Sequence, residues 1–369
     1  MVGEAIAMDL AAEPHWNVTV ADRDAAAVAR LAARYGTRPH AADLGDPATV
    51  TSLCADFDIV VGALSSHLGL QTLDAVLRAG RNYVDISFMA QDARVLHSLA
   101  VERGVTAVVD CGVGPGISNM VIGWALQQQD ATERVEIYVG GLPEVRTWPY
   151  EYKAAFAPAD VIEEYVRPAR IVEHGRVVVR PALSEPELVD LPGVGTLEAF
   201  NTDGLRSLAD LPVPDVLEKT LRYPGHIELM RVLRDLGLFS TDPIDVDGTP
   251  VVPLRLTEKL LFPKWSYADG EADLTVMRIA VTGTEDGHRV RRQWDLLDRR
   301  DPQTGLRSMS RTTGFPAAIM ARMVAAGRYA DPGVHPPEDC GRVPGLLEEL
   351  LRELGARGID LHATVERLS

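Results

Sequence analysis

The sequence is short of three things, and each shortage excludes a class of protein. Three cysteines occur in 369 residues, Cys54, Cys111 and Cys340, widely spaced and odd in number. They form neither a disulfide framework nor a zinc site, and they fit a reducing cytosol. Positive charge is scarce: 37 Lys and Arg stand against 53 Asp and Glu, a formal charge of −16. Nucleic acid and anionic membranes attract basic surfaces, so neither is the expected partner. No apolar run reaches the length of a transmembrane helix. The first residues lack the basic and apolar regions of a signal peptide, which gives a cytoplasmic expectation. What is present is 46% hydrophobic and 24% charged residues, enough to bury the cores of two domains.

The first hundred residues alternate between helical and extended patterns. Gly3 to Leu10 puts Ala5, Ile6 and Leu10 on one helical face. Asp24 to Tyr35 is rich in helix formers and stops at Gly36. Further helices are predicted from about Leu68 to Arg78 and from Gln91 to Arg103. Short strands, apolar throughout, are predicted at Val18 to Ala21, Ile59 to Gly62, Tyr83 to Ile86 and Thr106 to Asp110. This alternation describes an α/β fold, a Rossmann-type doubly wound parallel sheet with helices on both faces.

After Gly116 the pattern changes. Val135 to Leu142 reads as a strand, and two hairpins follow: Arg170 to Arg180, turning at His174-Gly175, and Leu274 to Leu297, turning at Glu285-Asp286-Gly287. The alternation of Met277, Ile279 and Val281 predicts a sheet covered on one face. Proline-rich loops are expected around Pro181 to Pro192 and Leu211 to Pro214. The tail returns to helix at Phe315 to Gly327 and Gly345 to Leu354. The plan is an N-terminal unit of residues 1–116 joined by about 308–369. Between them, residues 117–307 form an inserted α+β domain with a largely antiparallel sheet.

The dinucleotide fingerprint needs a strand, G-x-G-x-x-G, a helix, and an acid about 20 residues on. Here Gly3 opens a helix and Asp22 ends the next strand 19 residues later. The first strand and first two glycines are missing from this numbering. The expectation is that Met1 is an internal methionine and that about eight to ten upstream residues complete the unit. A carboxylate at Asp22 receives both ribose hydroxyls of NAD and repels the 2′-phosphate of NADP. Arg23 beside it leaves NADP open. NAD is the cofactor expected.

Several segments together carry a resemblance. They are Asp110-Cys-Gly-Val-Gly-Pro-Gly-Ile-Ser-Asn119, Gly140-Gly-Leu-Pro143, Glu163-Glu-Tyr-Val-Arg-Pro-Ala169, Leu197-Glu-Ala-Phe200 and Leu221-Arg-Tyr-Pro-Gly-His226. Arg311-Thr-Thr-Gly314 and Gly333-Val-His-Pro-Pro-Glu338 complete the series. In this order they resemble the saccharopine dehydrogenase family over nearly the whole chain. Leu197 to Phe200 and the single insertion look closest to lysine 6-dehydrogenase. Glutamate-forming saccharopine dehydrogenases and carboxynorspermidine dehydrogenases are the rivals. The resemblance implies a Rossmann domain, a substrate and dimerisation domain, hydride chemistry at a carbon bearing nitrogen, and a homo-oligomer. A non-catalytic nucleotide-binding or regulatory member is the alternative of another class.

Oxidising an amine to an imine requires a nicotinamide against the C–H, a neutral amine and an anchor for the amino-acid carboxylate. Ligands of open α/β sheets sit beyond the carboxyl ends of strands. That selects Ala63, Leu64 and Ser65, then Asp110 and Gly112, beside the cofactor with Gly3 and Asp22. Ser65 serves equally well as a helix cap. Asp85, an acid ending a buried strand, is a catalytic candidate. In the insertion, Arg222 is placed to clamp a carboxylate, with Tyr223 beside it, and His226 to accept a proton. Tyr152, Lys153 and Arg311 are further substrate candidates. No metal is called for.

Overall fold

The structure, a computed structural model, describes residues 2–155 and 158–369. Local signals set its first elements. Asp24 accepts the backbone N–H groups of Ala26 and Ala27, and Gly36 takes a left-handed φ of 73°, so the helix between them is closed at both ends. In chain order the elements begin α1 (Val2–Ala11), β1 (Thr19–Asp22), α2 (Ala25–Tyr35), β2 (Arg38–Ala41), α3 (Pro47–Cys54) and β3 (Ile59–Gly62). There follow α4 (Gly69–Arg78), β4 (Asn82–Asp85), α5 (His97–Arg103), β5 (Thr106–Val108) and α6 (Ile117–Gln128). The middle of the chain holds β6 (Ala131–Pro143), α7 (Pro158–Val166), β7 (Ala169–Glu173), β8 (Arg176–Arg180), β9 (Glu187–Leu191) and β10 (Gly195–Asn201). It continues with β11 (Asp215–Arg222), α8 (His226–Asp235), β12 (Ile244–Val246), β13 (Thr249–Val251), α9 (Pro253–Trp265), β14 (Asp273–Glu285) and β15 (His288–Arg299). The last elements are α10 (Ser308–Ala325), β16 (Gly333–His335), α11 (Pro337–Gly341), α12 (Leu346–Gly355) and β17 (Leu361–Arg367).

The chain divides into two compact units: residues 1–127 with 310–359, and residues 128–309 with 360–369. In the first unit, among the described residues, four strands pair in parallel in the order β16–β5–β4–β3, and β1 pairs with β2 as a separate parallel sheet. No described strand pairs with the second edge of β1 or of β3. Helix α4 buries Leu73, Val76 and Leu77, spaced for one face, into a core with Tyr83, Ala107 and Val334. This is the doubly wound α/β unit that the alternation predicts.

The second unit is built on a sheet of nine strands among the described residues, with β12 and β13 paired separately. The nine run β17–β15–β14–β6–β11–β10–β9, with β7 joining at β11 and β8 beyond it. Pairing is antiparallel except between β6 and β11. Both predicted hairpins form, as β7–β8 and β14–β15. The expectation of a one-sided sheet is corrected at β14: Val276, Ala280 and Thr282 are buried as fully as Met277, Ile279 and Val281. An interior strand covered on both faces loses its polar alternation in burial, whatever its sequence. Strand β9 lies inside the stretch expected to be loop, because Pro186 and Pro192 bracket it without interrupting it. The helix expected from Phe315 starts earlier, at Ser308, where the Asp273 carboxylate accepts the N–H groups of Ser308 and Met309. The end of the chain is also extended: β17 pairs with β15 in the second unit. No helix among the described residues is long and apolar enough to cross a membrane.

Candidate active site

In the first unit the carboxyl ends of the strands gather most of the candidates. Gly3 lies in the first turn of α1, and a Cβ placed there would meet the Ala63 methyl at 3.7 Å, so these two positions are neighbours. Asp22 ends β1, exposed; one carboxylate oxygen accepts the Asp24 N–H at 2.9 Å. Beyond β3, Ala63 is exposed while Leu64 and Ser65 are half-buried. Ser65 occupies the cap position of a 3-10 turn without making a side-chain cap bond, so its hydroxyl is not spent on capping.

Asp85 ends β4 fully buried. Its Oδ1 accepts the Ser87 hydroxyl at 2.9 Å, and its Oδ2 has no partner. Gly62 opposite is obligatory, since a Cβ there would run into the Tyr83 hydroxyl and the Asp85 carboxylate. Burial pushes the Asp85 carboxyl up to about 7, with nearby Asp110 adding to the rise.

Asp110 sits at a left-handed φ of 54° and starts a tight turn. The Gly112 N–H is shared between the carbonyls of Asp110 and Pro115. Gly116, at φ 134°, packs its Cα face directly on the Gly112 backbone, where no side chain fits. Asn119 then accepts the Gly116 N–H and donates to Glu338 at 3.0 Å. The segments ending in Asn119 and Glu338 are thus two halves of one structural lock. Arg311 lies buried in this unit, donating to the Arg357 carbonyl at 2.9 Å.

In the second unit the structure brings together Arg222, Tyr152 and His226. Arg222, the last residue of β11 and 2% exposed, stacks its guanidinium 4.4 Å from the centre of the Tyr152 ring. Its Nη2 donates to Glu164 at 2.5 Å and its Nη1 to the Leu221 carbonyl at 2.9 Å. His226 opens α8 behind Gly225, whose φ of 97° makes the turn. A carbonyl only accepts, so His226 Nδ1 carries the proton it donates to Tyr150 at 2.8 Å, and Nε2 accepts from the Tyr165 hydroxyl at 2.9 Å. Burial, helped by the charge of Arg222, lowers the imidazole to about 3. His226 is therefore neutral, with both nitrogens engaged.

Tyr223 points elsewhere, donating to the Pro143 carbonyl at 3.0 Å. Lys153 pairs with Glu271 at 2.5 Å, its ammonium 5.8 Å from the Tyr267 ring. Sequence reasoning missed Glu164 and Tyr165, although both stand in a quoted segment. Their partners lie 58 and 61 residues away, beyond any local pattern.

A parallel α/β unit with an acid at the end of β1, joined to a unit on a mixed sheet, has the architecture of a two-domain nicotinamide-dependent oxidoreductase. Residues 1–108 match the "Saccharopine dehydrogenase NADP binding domain" and residues 112–359 the "Saccharopine dehydrogenase C-terminal domain". The chain belongs to the saccharopine dehydrogenase family. It is 23% identical to the NADP(+)-dependent, L-glutamate-forming saccharopine dehydrogenase of Saccharomyces cerevisiae, over 96% of this chain and 94% of the relative. It is also 23% identical to carboxyaminopropylagmatine dehydrogenase of Synechocystis, over 99% of this chain and 95% of that one. Among solved structures, the apo L-Glu-forming saccharopine dehydrogenase of S. cerevisiae superposes with a TM-score of 0.82 at 21% identity, covering 99% and 97% of the two chains.

Proposed function

We propose that the protein is a nicotinamide-dependent dehydrogenase that oxidises the carbon–nitrogen bond of a lysine-derived amine. The observation that carries this reading is the match of residues 1–108 and 112–359, in order, to the two domain models of one dehydrogenase family. An L-glutamate-forming dehydrogenase releases an amino acid from its substrate. The nitrogen it acts on is therefore shared between two carbon chains. Relatives of that kind favour a secondary amine over free lysine, which is the substrate of the lysine 6-dehydrogenase reading that Leu197 to Phe200 suggested. The protein acts in the cytoplasm as a homo-oligomer, a setting in keeping with three free, buried cysteines.

The residues present fit the cofactor. The first turn of α1 at Gly3 offers backbone N–H groups to a pyrophosphate. Asp22, with one oxygen spent on Asp24, keeps the other for a ribose hydroxyl, which favours NAD. Ala63, Leu64, Ser65, Asp110 and Gly112 border the same strand ends. Bound there, the nicotinamide supplies the hydride acceptor.

The rest of the chemistry belongs to the chain. Asp85, held near 7 by burial, is matched to take the amine proton at neutral pH. His226, neutral and doubly hydrogen-bonded, orients the Tyr165 hydroxyl. Tyr152 packs against the Arg222 guanidinium, and Tyr223 and Lys153 lie on the neighbouring segments.

The test is reduction of NAD and NADP by the full chain with saccharopine, carboxynorspermidine or lysine as the amine. Turnover of saccharopine with release of glutamate is the expected result. Turnover of lysine alone restores lysine 6-dehydrogenase. Cofactor binding without turnover of any amine leaves the non-catalytic alternative.

A further inference from the structure

Several buried and half-buried arginines in this acidic chain end on carboxylates. Arg222 meets Glu164, Arg278 meets Asp295, Arg292 meets Glu285, and Arg322 and Arg357 both meet Asp9. Arg307, half-buried just before α10, does not. Its guanidinium lies over the Tyr267 ring, 4.8 Å from the centre. Among the described residues it has no ion pair and no hydrogen-bond acceptor. Its Nε is sealed from solvent without a partner, as is the Tyr267 hydroxyl. The two nearby acids are already committed. Asp273 gives its oxygens to the N–H groups of Ser308 and Met309. Glu271 takes Lys153 and the Ala268 N–H.

A half-buried guanidinium without an acceptor is costly and is normally completed by an anion. Stacking on an aromatic ring fixes the plane of the fork while leaving its charge unspent. A carboxylate is the anion that fits such a fork with two parallel hydrogen bonds. Arg222 is less suited to that task, because its charge is already paired with Glu164 inside the protein.

We propose that Arg307, stacked on Tyr267, is the substrate-carboxylate site of the second unit. The ligand class is an amine that carries a free carboxylate on a short aliphatic chain. This deepens the amine dehydrogenase reading and rests on it for the identity of the substrate. Lys153, whose ammonium lies 5.8 Å from the centre of the same Tyr267 ring, is held by Glu271 and is not the anchor.

Glutarate is the probe, and pentane-1,5-diol is its uncharged control, in thermal-shift measurements on the full chain. Glutarate should raise the melting temperature of the wild type and the diol should not. Arg307→Gln should abolish that rise. Arg307→Lys, which keeps charge without the fork, should weaken it, and Lys153→Gln should retain it. With saccharopine as substrate, Arg307→Lys should raise KM about tenfold or more and change kcat less than about threefold.

An equal glutarate shift in wild type and Arg307→Gln overturns the proposal. So does no shift in the wild type, loss in Lys153→Gln alone, or an unchanged KM in Arg307→Lys. The binding readout does not depend on turnover. If no amine is oxidised but glutarate binding needs Arg307, the site stands and the reaction assignment falls. If saccharopine is oxidised with the same KM in both forms, the assignment stands and the site falls.

Discussion

Each unit ends a buried strand in an ionisable side chain, and the two treat it in opposite ways. Arg222 closes β11 and finds Glu164 at 2.5 Å, so its charge is cancelled inside the protein. Asp85 closes β4 and finds a serine hydroxyl, with an unpartnered oxygen and another acid, Asp110, nearby. A charge that is paired where it is buried serves the fold. A carboxyl left without a cation is pushed into the range where it gains and loses protons at working pH. The difference separates structural from chemical use of the same physical situation.

The comparison breaks most visibly if Arg222 is removed. Arg222→Met leaves Glu164 without its cation and should destabilise the protein by about 3–5 kcal/mol in urea unfolding. The double change Arg222→Met with Glu164→Leu should recover most of that loss, since it removes both charges. A single-variant loss below about 1 kcal/mol would show that the pair is not what holds the end of β11.

The pH dependence of stability sharpens the contrast, because Asp85 and His226 act with opposite sign. The Asp85 carboxyl is raised in the fold from 3.8 to about 7. The folded protein therefore binds the proton more tightly. Its contribution is fully present below about pH 4 and is lost as pH rises through about 7. Asp85→Asn should gain on the wild type steadily from pH 4 to pH 8, by about 1–4 kcal/mol at the upper end. His226 is depressed from 6.5 to about 3, so its contribution is present above 6.5 and is lost as pH falls toward 3. His226→Gln should flatten the acid limb and leave stability at pH 8 with little added pH dependence. Urea midpoints from pH 4 to 8 read both, and parallel profiles for the three proteins would contradict the assignment.

How much of this was legible in the sequence follows the reach of each interaction. Helix α2 is marked at both ends by residues that cap it, Asp24 and Gly36, and the reading located it closely. The β14–β15 turn announces itself through Asp286 and Gly287, which take φ values of 49° and 74°. The start of α10 was hidden because its cap, Asp273, comes from β14, 35 residues earlier. The site divides in the same way. Asp22, Asp85 and Asp110 were visible as acids at strand ends, a purely local feature. The state of Arg222 was not, since Glu164 is brought to it only by the packing of α7. Arg311 reads in the sequence as a cation beside a helix, yet its guanidinium donates to the Arg357 carbonyl. Arg307, four residues earlier, has no such partner, and no local pattern separates the two.

The smallest expected effect isolates charge from backbone at the end of β1. Asp22 and Asp24 stand two residues apart, both exposed, and both accept backbone N–H groups. Asp24 makes two such bonds as the cap of α2, and Asp24→Ala should cost about 1 kcal/mol of stability while leaving the NAD to NADP preference unchanged. Asp22 makes one, so Asp22→Ala should cost less stability but should move the ratio of the two dissociation constants toward NADP by about tenfold. A carboxylate there accepts ribose hydroxyls and repels a 2′-phosphate, and its removal weakens the first ligand while relieving the second. Arg23, left in place, is then free to receive that phosphate. Fluorescence titration of both cofactors with both variants decides the matter. Equal shifts in the two variants would trace the effect to displacement of α2, and unchanged affinities in Asp22→Ala would remove Asp22 from cofactor choice altogether.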